Sequence, residues 1–69
     1  MNTRERIKEY IKKNYPEWDG NEDFLVNVET LYDEESVYID DNDEDAVNEL
    51  IKESVLGSIN DYEDGITDF

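Results

Sequence analysis

Twenty-one acidic side chains stand against six basic ones in a chain of 69 residues, for a formal charge of -15 at neutral pH. That imbalance limits what the chain can fold into more than any other feature. A domain this short buries only about 60% of the surface its unfolded chain exposes. Any fold must therefore hold like charges together with a small core. Strongly acidic chains with few aromatic residues stay unfolded. Here Leu, Ile, Val and Phe contribute 17 residues, and five Tyr and one Trp add bulk. That places the apolar share above the ~20% typical of disordered sequences. One folded domain over residues 1–69 is expected, with residues 64–69 prone to fray.

The chain contains no His and no Cys. Disulfide frameworks and Cys/His zinc sites are thereby excluded. No apolar run approaches the ~18 residues of a membrane span, and no basic-then-apolar leader is visible. A soluble, cytoplasmic protein with no membrane association is the expectation. The negative charge argues against nucleic acid as a direct ligand, since phosphates would be repelled. It points instead to a basic partner.

Five of the six basic residues, Arg4, Arg6, Lys8, Lys12 and Lys13, lie in the first 13 positions. Residues 14–69 hold 19 acids and one base, Lys52. The first segment is thus the only cationic part. Such asymmetry signals an electrostatic role. It also lets the basic segment neutralise part of the acidic body, and the two uses are compatible.

Asn2 followed by Glu5 has capping-box spacing, and Ile7, Tyr10 and Ile11 share a helical face. A helix is expected over Thr3–Asn14, stopped by Pro16, which disfavours helical geometry at Tyr15. Residues 16–23 read as a loop, with Gly20 in a turn and Trp18 pinned on the core. From Phe24 to Tyr32 the apolar period changes to two, through Phe24, Val26, Val28, Thr30 and Tyr32, which predicts a strand. Asp33-Glu34-Glu35-Ser36 reads as a four-residue hairpin loop, and Val37-Tyr38-Ile39 as the return strand. Pairing Tyr32 with Val37 and Thr30 with Ile39 puts the apolar residues of both strands on one face.

Asp41 or Asn42 then caps a helix from about Asp43 to Leu56, whose first-turn acids favour the positive end of the dipole. Val47, Leu50, Ile51 and Val55 form its apolar stripe. A further turn or short helix is expected over Ser58–Glu63, with Gly65 ending it. Ile66 and Phe69 either fold back onto the core or fray. The predicted fold is a small α+β domain: an N-terminal helix, an antiparallel β-hairpin and one or two C-terminal helices, in the order αββα.

Catalysis finds little support. Ser36, Ser54 and Ser58 have no imidazole to activate them. Raising the pKa of one of two paired carboxylates needs burial, which so small a chain scarcely offers. No enzyme activity and no cofactor are expected. Asp41-Asn42-Asp43-Glu44-Asp45 resembles the start of an EF-hand loop. However, the sixth position from Asp41 is Ala46 and the twelfth is Lys52, where such a loop needs Gly and Glu. No dedicated metal site is expected. The tail from Asn60 to Phe69 interleaves acids with apolar residues, as acidic activation segments do.

The charge itself remains. A net charge of ~2–8 is ample to keep a small domain soluble. Double-stranded DNA carries one charge per ~1.7 Å of axis. Carboxylates spaced about 6–7 Å apart on helices and strands approach the spacing of phosphates along a strand. Tyr32, Tyr38 and Tyr62 add contacts that a bare phosphate array lacks.

A cationic first helix, an acidic hairpin and an acid-capped helix resemble the small phage-encoded DNA-mimic inhibitors of the anti-CRISPR and anti-restriction type. The resemblance lies in composition and element order, spans most of the chain, and carries no residue roles over. It implies an inhibitor, acting in a bacterial cytoplasm, that occupies the DNA-binding groove of a nuclease. In an RNA-guided nuclease that groove is the Arg-rich surface reading the short duplex motif beside the target. The candidate partner-binding acids are Asp33, Glu34 and Glu35 at the hairpin tip. Asp40, Asp41, Asp43, Glu44 and Asp45 lie around the next helix start, and Asp61, Glu63 and Asp64 extend the array. Two rivals are an immunity protein against a basic nuclease toxin and a regulatory adaptor kept soluble by its acidic face.

Self-repulsion of this size weakens as counterions screen it. The melting temperature followed by circular dichroism is expected to rise between about 20 and about 300 mM salt. A fall over that range would show that attractive ion pairs outweigh repulsion.

Overall fold

The computed structural model describes the backbone of residues 2–67 and the side chains of residues 2–63. Its order is α1 (Thr3–Asn14), a 3-10 turn (Pro16–Trp18), α2 (Glu22–Ser36) and α3 (Glu44–Thr67). No strand occurs among the described residues, so the expected α+β, αββα architecture is replaced by three packed helices.

α1 forms where its sequence signals place it. Asn2 Oδ1 accepts the Glu5 backbone N–H at 2.9 Å, supplying one of the bonds a helix start lacks. Ile7 and Ile11 are buried, four residues and hence about one turn apart. The helix ends at Tyr15, ahead of Pro16, with the Tyr15 N–H closing on the Ile11 carbonyl at 2.7 Å.

Beyond it, Trp18 stacks on Phe24 at 4.5 Å and meets the ring of Tyr62 edge-on at 5.5 Å. Gly20 holds φ +85, a left-handed conformation in which any side chain would be strained. These contacts turn the chain into α2.

The segment expected as a hairpin is α2. Phe24, Val26, Val28, Thr30 and Tyr32 fit period two, but Phe24, Leu25, Val28, Leu31 and Tyr32 fit a helical stripe equally well. Phe24, Leu25, Val28 and Tyr32 are buried, whereas Val26 is 55% exposed. Asn21 caps the start, its Oδ1 accepting the Phe24 N–H at 3.1 Å, and Glu22 and Asp23 occupy the first turn. Thr30, β-branched and outward, satisfies its hydroxyl on the Val26 carbonyl at 2.9 Å. A lone two-stranded hairpin leaves its edges unpaired and is marginal in water. A helix closes its own backbone bonds and still offers a full apolar face.

Asp33, Glu34, Glu35 and Ser36 are accordingly the last turn of α2 and not a hairpin loop. Val37, Tyr38 and Ile39 belong to the connection that follows, closed by Tyr38 N–H to Glu35 O at 3.0 Å and Ile39 N–H to Ser36 O at 3.3 Å.

α3 is continuous through Gly57, which is a mid-helix glycine and not a C-cap after Leu56, and it runs past Gly65, where an end was expected. Asp43 caps it, accepting the Ala46 N–H at 3.2 Å. Val47, Leu50, Ile51 and Val55 are buried, and Ile59 and Tyr62 pack against the same core. At about 1.5 Å per residue its 24 residues span about 36 Å and set the 41 Å long axis of the molecule. The expectations for the Ile66 side chain and for Phe69 lie outside the described residues.

α2 runs antiparallel to α3, with Leu31 against Gly57, Asn27 against Ser58 and Phe24 against Tyr62, and α1 packs on both. The α2–α3 seam is lined by small groups, Ser54, Gly57 and Ser58. Ser58 Oγ accepts a bond from Asn27 Nδ2 at 2.9 Å, so a fully buried hydroxyl is satisfied. Among the described residues no buried side-chain polar atom lacks a partner.

A Cβ built on Gly57 would lie 3.3 Å from Leu31 Cδ1, the free end of a flexible side chain. Gly57→Ala is therefore expected to stabilise the domain by about 0.5–1 kcal/mol through helix propensity, with Leu31 shifting slightly. Urea denaturation measures this; a loss of stability would mean that Leu31 cannot give way to the added methyl group.

Candidate functional site

The antiparallel order of α2 and α3 decides where the acids go. The N-terminus of α1, the C-terminus of α2 and the N-terminus of α3 share one end of the bundle. A hollow there is lined by Thr3 and Arg6 of α1, Tyr32, Asp33 and Ser36 of α2, Asp41 of the connection and Val47 of α3. Eight of the eleven sequence-predicted residues gather at this end: Asp33, Glu34, Glu35, Asp40, Asp41, Asp43, Glu44 and Asp45. All eight are exposed.

Asp61 and Glu63 are not part of that group. They are exposed on the far half of α3, about 24 Å from Asp45 along the helix axis for Asp61. The side chain of Asp64 lies outside the described residues. The structure therefore divides the predicted array in two.

The eight acids differ in what explains them locally. Asp43 caps α3, and Glu44 and Asp45 occupy its first turn, where negative charge complements the helix dipole. The Asp40 carboxylate accepts the Asn42 N–H at 2.9 Å and shapes the connection. Asp33, Glu34 and Glu35 are different. They sit at the C-terminal, negative end of α2, whose last turn has no basic residue. Helix stability favours the opposite charge at all three positions.

Among the described residues the basic side chains form no ion pair at this end, where Arg6 alone of them lines the hollow. Arg4 pairs with Glu22 at 3.2 Å and Glu29 at 3.6 Å, toward the start and middle of α2. Arg6 donates to Asn48 Oδ1 at 2.7 Å. Among the described residues, none of the eight acids forms an ion pair with Lys or Arg. The cationic helix thus makes its ion pairs with the body of the bundle, and at the acidic end only Arg6 lines the hollow beside Asp33 and Asp41.

Two residues that sequence reasoning placed in a strand matter here. Val37 is 76% exposed and Tyr38 80% exposed. Of the three tyrosines expected to add contacts, Tyr32 is buried and Tyr62 is half-buried among Trp18 and Phe24. Tyr38 alone of the three is open to a partner. Its position next to a run of acids was the available signal, masked by the strand expectation.

Ser36 Oγ donates to the Asp33 carbonyl at 3.0 Å, and Ser54 and Ser58 are buried in the α2–α3 seam. Among the described residues no three acids converge to hold a metal ion. The EF-hand-like run is divided, its first residues in a turn and its last in α3. Burial and, secondarily, Tyr15 and Glu49 raise the pKa of the Tyr10 hydroxyl above its ordinary value. Tyr10 packs between α1 and α3, away from the acidic end. No described helix is long and apolar enough to cross a membrane.

No protein-family model, curated protein or solved structure matches this chain.

Replacing Asp33, Glu34 and Glu35 together with Lys complements the dipole of α2 and reduces the net negative charge. The triple variant is expected to melt roughly 5 °C higher than the parent. A lower melting temperature would mean that these acids stabilise the native bundle.

Proposed function

We propose that the chain is a DNA-mimic inhibitor, whose acidic end occupies the DNA-binding groove of a basic protein and keeps DNA out. The preferred partner is a nuclease, either an RNA-guided effector or a restriction enzyme. The observation that carries this reading is the placement of Asp33, Glu34 and Glu35. They oppose the dipole of their own helix, form no ion pair among the described residues, and stand with five further acids on one folded end. Capping explains Asp43, Glu44 and Asp45; it does not explain these three.

The mechanism is competitive occlusion and involves no chemistry on the partner. The long-range field of a -15 chain accelerates encounter with a cationic surface. On contact, Arg and Lys side chains that grip phosphates meet carboxylates instead. Helical neighbours three and four residues apart sit about 6 Å from one another, close to the spacing of phosphates along a strand. An immunity protein of the toxin-binding kind would block cleavage while leaving DNA bound. An adaptor would bind through apolar surface with little dependence on salt.

Capture on the immobilised protein from bacterial lysate at low salt, followed by elution with duplex DNA, separates these outcomes. The retained proteins are expected to be basic DNA-binding proteins released by the duplex. Retention should fall steeply between about 50 and about 200 mM salt. Retention unaffected by excess duplex would overturn the mimicry.

A further inference from the structure

The connection between α2 and α3 carries two large apolar side chains that the core does not use. Val37 is 76% and Tyr38 80% exposed, while the next residue, Ile39, packs on the core. Single exposed apolar residues are ordinary. These two are adjacent and project from the most acidic end of the molecule. Asp33, Glu34 and Glu35 precede them, and Asp40 and Asp41 follow.

The connection is held before any partner arrives. Backbone bonds from Tyr38 N–H to Glu35 O and from Asp43 N–H to Asp40 O, at 3.0 and 2.9 Å, close it on either side. The Asp40 carboxylate adds a bond to the Asn42 N–H at 2.9 Å. The entropy of ordering these residues is therefore largely spent in folding, which favours binding. Tyrosine has few side-chain torsions to immobilise and is enriched among residues that dominate binding energy. Its ring face also attracts guanidinium groups.

We infer that Val37 and Tyr38 form the anchor of the contact with a cationic protein surface that has an apolar recess between its Arg or Lys side chains. The inference rests on the reading of the acidic end given above and adds the partner's shape and chemistry. Charge complementarity selects this occupant. A neutral apolar partner would have to desolvate the surrounding carboxylates without counter-charges. A nucleic acid or an anionic lipid surface would bring like charge, and a second copy of this chain would bring a net charge of -15 along with its cationic α1. An apolar recess also gives the inhibitor a contact that DNA phosphates cannot make, so it competes on more than charge.

The test uses the full chain and two short synthetic peptides of equal positive charge, one alternating Arg with Gly and the other Arg with Leu. Binding is measured by fluorescence anisotropy at about 150 mM salt. The Arg/Leu peptide is expected to bind the parent at least about fivefold more tightly than the Arg/Gly peptide. That preference should vanish in the double variant Val37→Ser, Tyr38→Ser and shrink in Tyr38→Ser alone. Both positions face solvent, and unchanged helical circular dichroism verifies the fold. Equal affinity of the parent for both peptides overturns the anchor, as does a preference that survives in the serine variants. In either case the acidic end still binds cations and the proposed function stands. Failure of both peptides to bind at about 20 mM salt overturns the cationic partner itself, and the anchor with it.

Discussion

The antiparallel seam between α2 and α3 is the contact on which the rest of the structure depends. It is built from small groups on α3, Ser54, Gly57 and Ser58, against Asn27 and Leu31 of α2. Small side chains let the backbones approach closely, and Phe24, Val28 and Tyr32 then reach the stripe formed by Val47, Leu50, Ile51 and Val55. Neither helix has this stability alone. An isolated helix of some 15 residues is marginal even with favourable composition, and α2 ends in acids that oppose its dipole. Burial across the seam must outweigh both that conflict and the mutual repulsion of the acids.

The same seam creates the acidic end. Antiparallel packing and a short connection bring the last turn of α2 beside the first turn of α3, and each carries acids. Arg4 and Arg6 are turned to Glu22, Glu29 and Asn48 instead. Arg4 and Glu22 are both largely exposed, so their pairing adds little to stability. It does, however, keep that positive charge away from the acidic end. The core thus concentrates like charge at one place, and solvent and counterions compensate it only in part. A cationic surface replaces those counterions, which is the physical basis for the proposed binding.

Much of the fold was readable from local signals. The Asn2 cap, Pro16 and the stripe of Ile7 and Ile11 bound α1 correctly, and the apolar stripe of α3 was visible from Val47 to Tyr62. The segment from Phe24 to Tyr32 was not, because its apolar residues satisfy periods of two and of 3.6 at once. Leu25 and Leu31 break the alternation, and Asn21 with Glu22 and Asp23 forms a helix start; together they mark the helix. Gly57 is locally ambiguous between a helix end and a close helical contact, and Leu31 settles it from another element. The acids at the end of α2 were recognisable as residue types, but their opposition to a helix dipole emerged only once α2 was known to be a helix.

From its residues alone the chain has its charge, its lack of His and Cys, the two ends of α1 and the apolar stripes of α1 and α3. These depend on composition or on neighbours within a turn or two. The tertiary structure decided that α2 is helical, that Val37 and Tyr38 face solvent, and that eight acids meet while Asp61 and Glu63 stand apart. Those outcomes turn on contacts between residues far apart in sequence: Asn27 with Ser58, 31 positions away, and Arg6 with Asn48, 42 positions away. The apolar spacing along α2 fits both periods, and burial of Phe24, Leu25, Val28 and Tyr32 against α1 and α3 favours the helical one.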